Sequence, residues 1–126
     1  MPEEKRKSPD EVISEIVGRL KARRCRGIKV NQAGGVYKLP EKILFESSGS
    51  EGRIPDITTE IPDLIIEVED SESIEKPETL DYCKQLSIHA RNKYKTFILV
   101  LPLSCAEAAR VKMQELKIRN VNYIWY

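Results

Sequence analysis

Residues 96–101, with the sequence TFILVL, give the strongest indication of the fold. Their side chains are almost all apolar without alternation, which is typical of a central strand buried on both faces. Helices are predicted on either side of this strand, at residues 77–93 and at residues 105–117, the latter capped by Ser104. A buried strand between two helices predicts an α/β fold whose sheet is covered by helices.

The other predicted elements follow from local patterns. Ser8 and Pro9 have the positions of an N-cap and a first helical residue, ahead of an apolar stripe at helical spacing. The period-two segments 53–59 and 63–69 predict a β-hairpin. Besides the elements given above, the sequence predicts a helix at 8–24, strands at 27–30, 53–59, 63–69 and 121–126, an extended stretch at 43–45 and a flexible loop at 47–52.

Chain length and composition predict a single domain over residues 1–126, with residues 1–7 flexible. The chain has 126 residues, of which 40% are hydrophobic, enough for one core and too many for global disorder. No apolar run approaches the ~20 residues of a membrane span, and the charged N-terminus lacks the apolar stretch of a secretory signal. We therefore expect a soluble cytoplasmic protein with no membrane partner.

Cysteine and histidine usage excludes several kinds of site. The three cysteines are odd in number and widely spaced, which suits neither a disulfide framework nor a cysteine-based zinc site. The single histidine, His89, argues against a histidine-rich metal site and a Ser-His-Asp triad. Any chemistry must therefore rest on carboxylates, lysines or hydroxyls.

Charge is segregated along the chain. Residues 43–78 carry 2 basic and 11 acidic side chains, whereas both flanking segments are net positive. An acidic middle between basic flanks suits a cation site beside a polyanion-binding surface. An acidic loop between two solvated helices would give the same composition.

The predicted hairpin carries the acidic residues of greatest interest. In its second strand Leu64, Ile66 and Val68 share one face, and Glu67 and Glu69 share the other with Ile65. The alternative is an edge strand whose charged face is simply solvated. Asp63 lies about 13 Å from Glu67 along the strand, too far to share one ion, so Asp56 on the first strand is the preferred partner.

The predicted order of elements, with Ile54-Pro55-Asp56 and Ile66-Glu67-Val68-Glu69, resembles the PD-(D/E)XK nuclease superfamily over about residues 8–102. The resemblance implies a restriction-endonuclease-like αβββαβ core, with a mixed central sheet flanked by helices. This chain would add a C-terminal helix and strand to that core. The implied activity is Mg²⁺- or Mn²⁺-dependent phosphodiester hydrolysis, most simply that of a DNA endonuclease.

Within this resemblance, Asp56 and Glu67 occupy the metal-binding positions. Glu69 stands where the superfamily usually has lysine, and the resemblance implies that it serves as a general base or a further metal ligand. Mg²⁺ prefers such oxygen ligands, and a bound divalent cation acidifies water for attack on phosphate.

Three further residues are assigned through the resemblance alone. Lys84, on the second helix, is the candidate to replace the missing cation. Glu15, on the first helix, matches an additional acid that would join the metal site. Gln85 falls where related nucleases place a glutamine beside the active site, so we expect it to contact nucleic acid.

Basic residues are candidates for contact with phosphates, although ordinary surface charge is the alternative. They are Arg23, Arg24, Arg26, Lys29 and Arg53. DNA is favoured over RNA, and a homodimer is expected, with residues 121–126 as a possible contact. Two readings compete with an active nuclease: an inactive nuclease-fold module that binds nucleic acid or a protein partner, and an interaction domain whose acids do not converge.

Overall fold

The computed structural model describes residues 7–45 and 52–126. The predictions for residues 1–6 and for loop residues 47–51 lie outside this part of the chain. The elements are α1 (Pro9–Ala22), β1 (Lys29–Val30), β2 (Ile57–Thr59), β3 (Leu64–Val68), α2 (Pro77–Asn92), β4 (Thr96–Leu101), α3 (Ala106–Glu115) and β5 (Val121–Trp125). Short 3₁₀ turns cover Ser73–Glu75 and Leu103–Cys105.

The five strands form one mixed sheet in the order β1-β2-β3-β4-β5. The β1–β2 and β2–β3 pairs are antiparallel, whereas β3, β4 and β5 are parallel to one another. The α/β class, the mixed sheet and the β2–β3 hairpin are confirmed. β3 therefore lies at the centre of the sheet, between its hairpin partner and the apolar β4.

Helices cover both faces of the sheet. The apolar stripe of α1 packs against Ile57, Ile66 and Val100 on one face. On the other face α2 and α3 pack against Ile65 and Phe97. Within the described residues, no helix combines the length and apolar content needed to cross a bilayer.

Helix boundaries follow the predicted signals at α1 and depart from them at α3. The Ser8 hydroxyl accepts a hydrogen bond from the Glu11 backbone N–H, with Pro9 in the first turn. The predicted Ser104 cap is wrong, because residues 103–105 form a 3₁₀ turn that makes Cys105 the N-cap of α3. Its side chain makes no capping hydrogen bond.

The first hairpin strand is shorter than predicted. β2 begins at Ile57, and Arg53 instead forms an isolated antiparallel bridge with Ile43. This bridge is the part of the predicted extended stretch 43–45 that makes a β contact. It brings the 41–45 segment onto the sheet face covered by α2, where Ile43 joins the core.

Gly27 precedes β1 at a position that excludes a side chain. Its φ is +67°, and a Cβ there would lie 2.5 Å from the Cγ of Glu60. We expect Gly27→Ala to lower the free energy of unfolding by about 1–2 kcal/mol, from left-handed strain and this clash. Gly18, inside α1 with open space around it, is the matched control, and Gly18→Ala should stabilise the protein by roughly 0.5–1 kcal/mol. Urea unfolding measures both, and equal effects would contradict this account.

Candidate active site

The hairpin register places Asp56 opposite Glu67. Ile57 pairs with Ile66, so the next position along the hairpin joins Asp56 to Glu67. Asp56 Oδ2 accepts a hydrogen bond from the Val68 backbone N–H at 2.8 Å, which ties the carboxyl to β3. Glu67 is on the same face as Ile65, the face covered by α2. The two carboxyls that the sequence assigned to a metal therefore meet.

The acids of β3 are buried, which excludes the solvated edge strand. Glu67 is 3% exposed and Glu69 is 8% exposed. Because β3 is hydrogen-bonded to β2 and β4, it is not an edge. The alternative of a merely solvated acidic edge strand is therefore wrong for this chain.

Hydroxyl groups hold both glutamates of β3. The Tyr82 hydroxyl, on α2, donates to Glu67 Oε1 at 2.7 Å. The Ser73 hydroxyl donates to Glu69 Oε2, and the Tyr126 hydroxyl donates to the Glu69 backbone carbonyl at 2.9 Å. These hydrogen bonds fix the orientation of the two glutamates, because each one holds either a carboxyl oxygen or the backbone carbonyl of the residue.

Burial and mutual repulsion raise the pKa values of the three carboxyls. Burial is the main cause at Glu67, whose pKa lies well above its ordinary value of 4.5, and the Asp56 charge is the next. The two carboxyls are also hydrogen-bonded to each other, which couples their pKa values. Burial also raises the pKa of Glu69, and the Asp56 charge adds to it.

Arg53 is the cation beside these carboxyls. Its charge lowers the pKa values of Asp56 and Glu69. Its guanidinium carbon lies 3.9 Å from the centroid of the Tyr82 ring, although the side chain is exposed overall. Lys84 is exposed on α2 and is not among the main causes of the carboxyl pKa shifts.

The first helix contributes a different acid from the predicted one. Glu15 is half-exposed and its Oε1 lies 2.7 Å from the Lys7 ammonium. Burial is the main cause of the raised pKa of Asp56, and the charge of Asp10, near the start of α1, adds a smaller effect in the same direction. Asp10, rather than Glu15, is therefore the acid of α1 whose charge acts on the carboxyl cluster.

The predicted nucleic-acid-binding residues do not lie together. Arg23 and Arg24 follow α1, which packs on the opposite face of the sheet from the carboxyls, and the structure does not gather them with the site. Arg26 forms a backbone bridge with Ile61. Lys29 and Arg53 lie with the hairpin, and Gln85 is half-buried on α2.

Tyr82 was not among the site residues predicted from the sequence. The signal was its position: Thr79, Tyr82, Cys83 and Leu86 form one buried stripe of α2. A tyrosine hydroxyl at a buried helical position needs a polar partner. The partner is supplied by β3, which only the tertiary structure reveals.

The carboxyls of Asp56, Glu67 and Glu69 offer oxygen donors, which suit a hard divalent cation. Over residues 7–45 and 52–126, no group of three or more His, Cys, Asp and Glu side chains has an arrangement that could hold a metal ion. Mg²⁺ commonly takes one or two protein carboxylates and leaves its other positions to water and phosphate. Asp56 and Glu67 fit that requirement as a pair.

No protein-family model matches the chain, and no curated protein or solved structure matches it significantly. The function therefore has to be inferred from the site itself.

Tyr82→Phe tests the support of Glu67. The change removes one hydroxyl from a core position that is 4% exposed and leaves Glu67 Oε1 without its donor. We expect the free energy of unfolding to fall by about 1–3 kcal/mol, the cost of an unsatisfied buried polar group. Tyr94→Phe is the control, because Tyr94 is 95% exposed. Chemical denaturation compares them, and an unchanged midpoint for Tyr82→Phe would show that its hydrogen bond contributes nothing.

Proposed function

We propose that the chain is a divalent-metal-dependent nuclease with a restriction-endonuclease-like fold, acting on DNA. The order of its helices and strands and the antiparallel-then-parallel sheet support the fold. The observation that carries the activity is the cross-strand pair of half-buried Asp56 and buried Glu67, with Glu69 on the same face.

A purely structural role explains this pair poorly. Burying carboxyls without full charge compensation costs stability, and apolar side chains of similar size serve a core at least as well. Glu67 occupies a fully packed position in the central strand, and its pKa rises because it is desolvated beside another acid. Clusters of acids with raised pKa values are typical of functional sites.

The residues supply distinct parts of the proposed reaction. Asp56 and Glu67 would hold the divalent cation, and when bound it would acidify a water and offset charge developing on the phosphate. Glu69 accepts the proton of the attacking water, a task favoured by its raised pKa. Arg53, exposed at the edge of the cluster, binds the substrate phosphate, and Lys84 is a second candidate for that contact.

An inactive nuclease-fold module is the second candidate. It is favoured by the hydroxyl groups of Tyr82 and Ser73, which already occupy one oxygen of Glu67 and one of Glu69. The glutamate in place of lysine at position 69 points the same way. Such a module would bind nucleic acid or a protein partner without cutting.

Purified protein incubated with supercoiled, linear, single-stranded and branched DNA separates the two. Parallel reactions contain Mg²⁺, Mn²⁺ or chelator. Cleavage that needs the metal supports the nuclease and starts to define its substrate. Intact DNA in every reaction, with binding retained, would favour the inactive module, and neither cutting nor binding would overturn the nucleic-acid proposal.

We also propose that the chain forms a homodimer through β5. This edge strand has the sequence VNYIW, without the charge or proline that commonly protects an edge from pairing. Antiparallel pairing of two copies would join the two sheets. Light scattering should give about twice the mass of one chain, and Asn122→Lys should shift it to the monomer. A monomeric wild type would refute the proposal.

A further inference from the structure

The hairpin also lines a cleft of about 600 Å³ outside the carboxyl cluster. Its floor is formed by Lys29, Thr58 and Ile65, and its walls by residues 41–44 and the C-terminal part of α2. Four lysines line the cleft with His89, and the acids are fewer. The lysines are Lys29, Lys42, Lys93 and Lys95, and the acids are Glu41, Glu60 and Asp63.

The register places this cleft beside the carboxyl cluster. Lys29 pairs with Thr58, and Thr58 pairs with Ile65, so the floor is one row of residues across three strands. Two residues further along lie Asp56, just before β2, and Glu67 on β3, which is on the same face as Ile65. Two residues of a strand span about 7 Å. The cleft therefore begins next to the carboxyls and extends away from them toward the end of α2.

The charges make the cleft suitable for an anion. Asp63 is paired with Lys95, whose ammonium lies 3.3 Å from Asp63 Oδ1. The charges of Lys95 and Lys93 add to burial in lowering the pKa of His89, which reflects a concentration of positive charge at this wall. Lys42 and Lys93 are exposed on opposite walls.

We propose that this cleft binds the sugar–phosphate backbone of a nucleic acid whose scissile phosphate lies at Asp56 and Glu67. The proposal rests on the proposed function and names the path of its substrate. The two rows are only about 7 Å apart, so a nucleic acid with one phosphate at the carboxyls would bring the adjoining stretch of its backbone to the cleft. Lysines contact such phosphates by charge and independently of base sequence.

Reversing the charge of the exposed lysines on the two walls tests whether the nucleic-acid backbone follows this cleft. The double variant Lys42→Glu/Lys93→Glu is compared with Lys112→Glu/Lys117→Glu, which makes the same charge change on and just after α3. Binding to a fluorescein-labelled DNA duplex is followed by anisotropy in chelator over a range of salt. Circular dichroism spectra and thermal melts verify that both variants are folded.

We expect the cleft variant to bind at least about tenfold more weakly and to lower the salt slope by about two, the loss of two phosphate contacts. The control should bind within about twofold of wild type. Equal binding by the cleft variant and wild type would overturn the proposed path, as would an equal loss in the control. If the wild type cleaves DNA and the cleft variant binds it as well as wild type, the proposed backbone path is refuted and the nuclease activity is not. If binding depends on the cleft but no DNA is cut, the nuclease activity is refuted and the backbone path is not.

Discussion

Glu67→Gln should reduce metal-dependent DNA cleavage by at least about a thousandfold. The amide keeps the size of the carboxyl and can still accept from Tyr82, so the fold is retained. It cannot supply the negative charge that a divalent cation requires. Asp56→Asn should have the same effect, because Asp56 is the other half of the cross-strand pair.

Glu115→Gln is the matched control for these two variants. Glu115 is exposed at the C-terminal end of α3 and belongs neither to the carboxyl cluster nor to the lining of the lysine cleft. Its cleavage rate should equal that of wild type. Rates are measured on whichever DNA form the wild type cuts, with all proteins purified identically. Wild-type activity in Glu67→Gln would show that the cleavage comes from another site or a contaminating enzyme.

The second large effect concerns stability in chelator. The folded state raises the pKa of Glu67 above its ordinary value, so it binds that proton more tightly than the unfolded chain does. This contribution to stability is complete below about pH 4.5 and is lost as pH rises through the folded pKa. The pKa values of Asp56 and Glu69 are shifted in the same direction, whereas that of the half-exposed Asp70 is lowered, chiefly by the hydrogen bond from the Ser73 backbone N–H.

Glu67→Gln should therefore melt at a higher temperature than wild type at about pH 8, and the difference should shrink toward about pH 5. Each unit by which folding raises a pKa is worth about 1.4 kcal/mol, or roughly 5 °C in Tm for a chain of this size. Glu72→Gln makes the same chemical change at an exposed position and should leave Tm unchanged at both pH values. Thermal melts decide it. A variant less stable than wild type at about pH 8 would mean that charged Glu67 stabilises the fold.

At high pH, Mg²⁺ should reverse the order of the Tm values, so that wild type melts above Glu67→Gln. A ligand that binds only the folded state stabilises it by mass action. The metal should therefore raise the Tm of wild type and leave that of Glu67→Gln unchanged. A metal effect of equal size on both proteins would place the cation elsewhere.

Local patterns predicted the elements well, because alternation and helical spacing act over a few residues. The hairpin and the two helices that flank the 96–101 strand follow from such signals. The pairing of Asp56 with Glu67 was also accessible, since a short turn joins their strands. The β2 strand itself is shorter because the chain before Ile57 pairs with Ile43, a contact that no local pattern encodes.

The environment of the site could not be predicted locally. In the sequence alone, two glutamates on one strand face are equally consistent with an exposed edge strand. Their burial depends on pairing with β4, which lies some thirty residues further along the chain. Likewise, Asp10 and Glu15 both lie on α1, and only the packing of the helix decides which acid influences Asp56. The roles of Tyr82 and of the lysine cleft also depend on which elements contact one another, and not on the sequence of any single element.

The hairpin register makes the length of the chain between the two carboxyls part of the site. Eleven positions separate Asp56 from Glu67, and the turn that joins their strands is at the far end of the ladder. Removing or adding one residue in that turn would shift the pairing and turn one carboxyl to the opposite face. Selection on such a protein would tolerate new side chains in the turn far more readily than a change in its length.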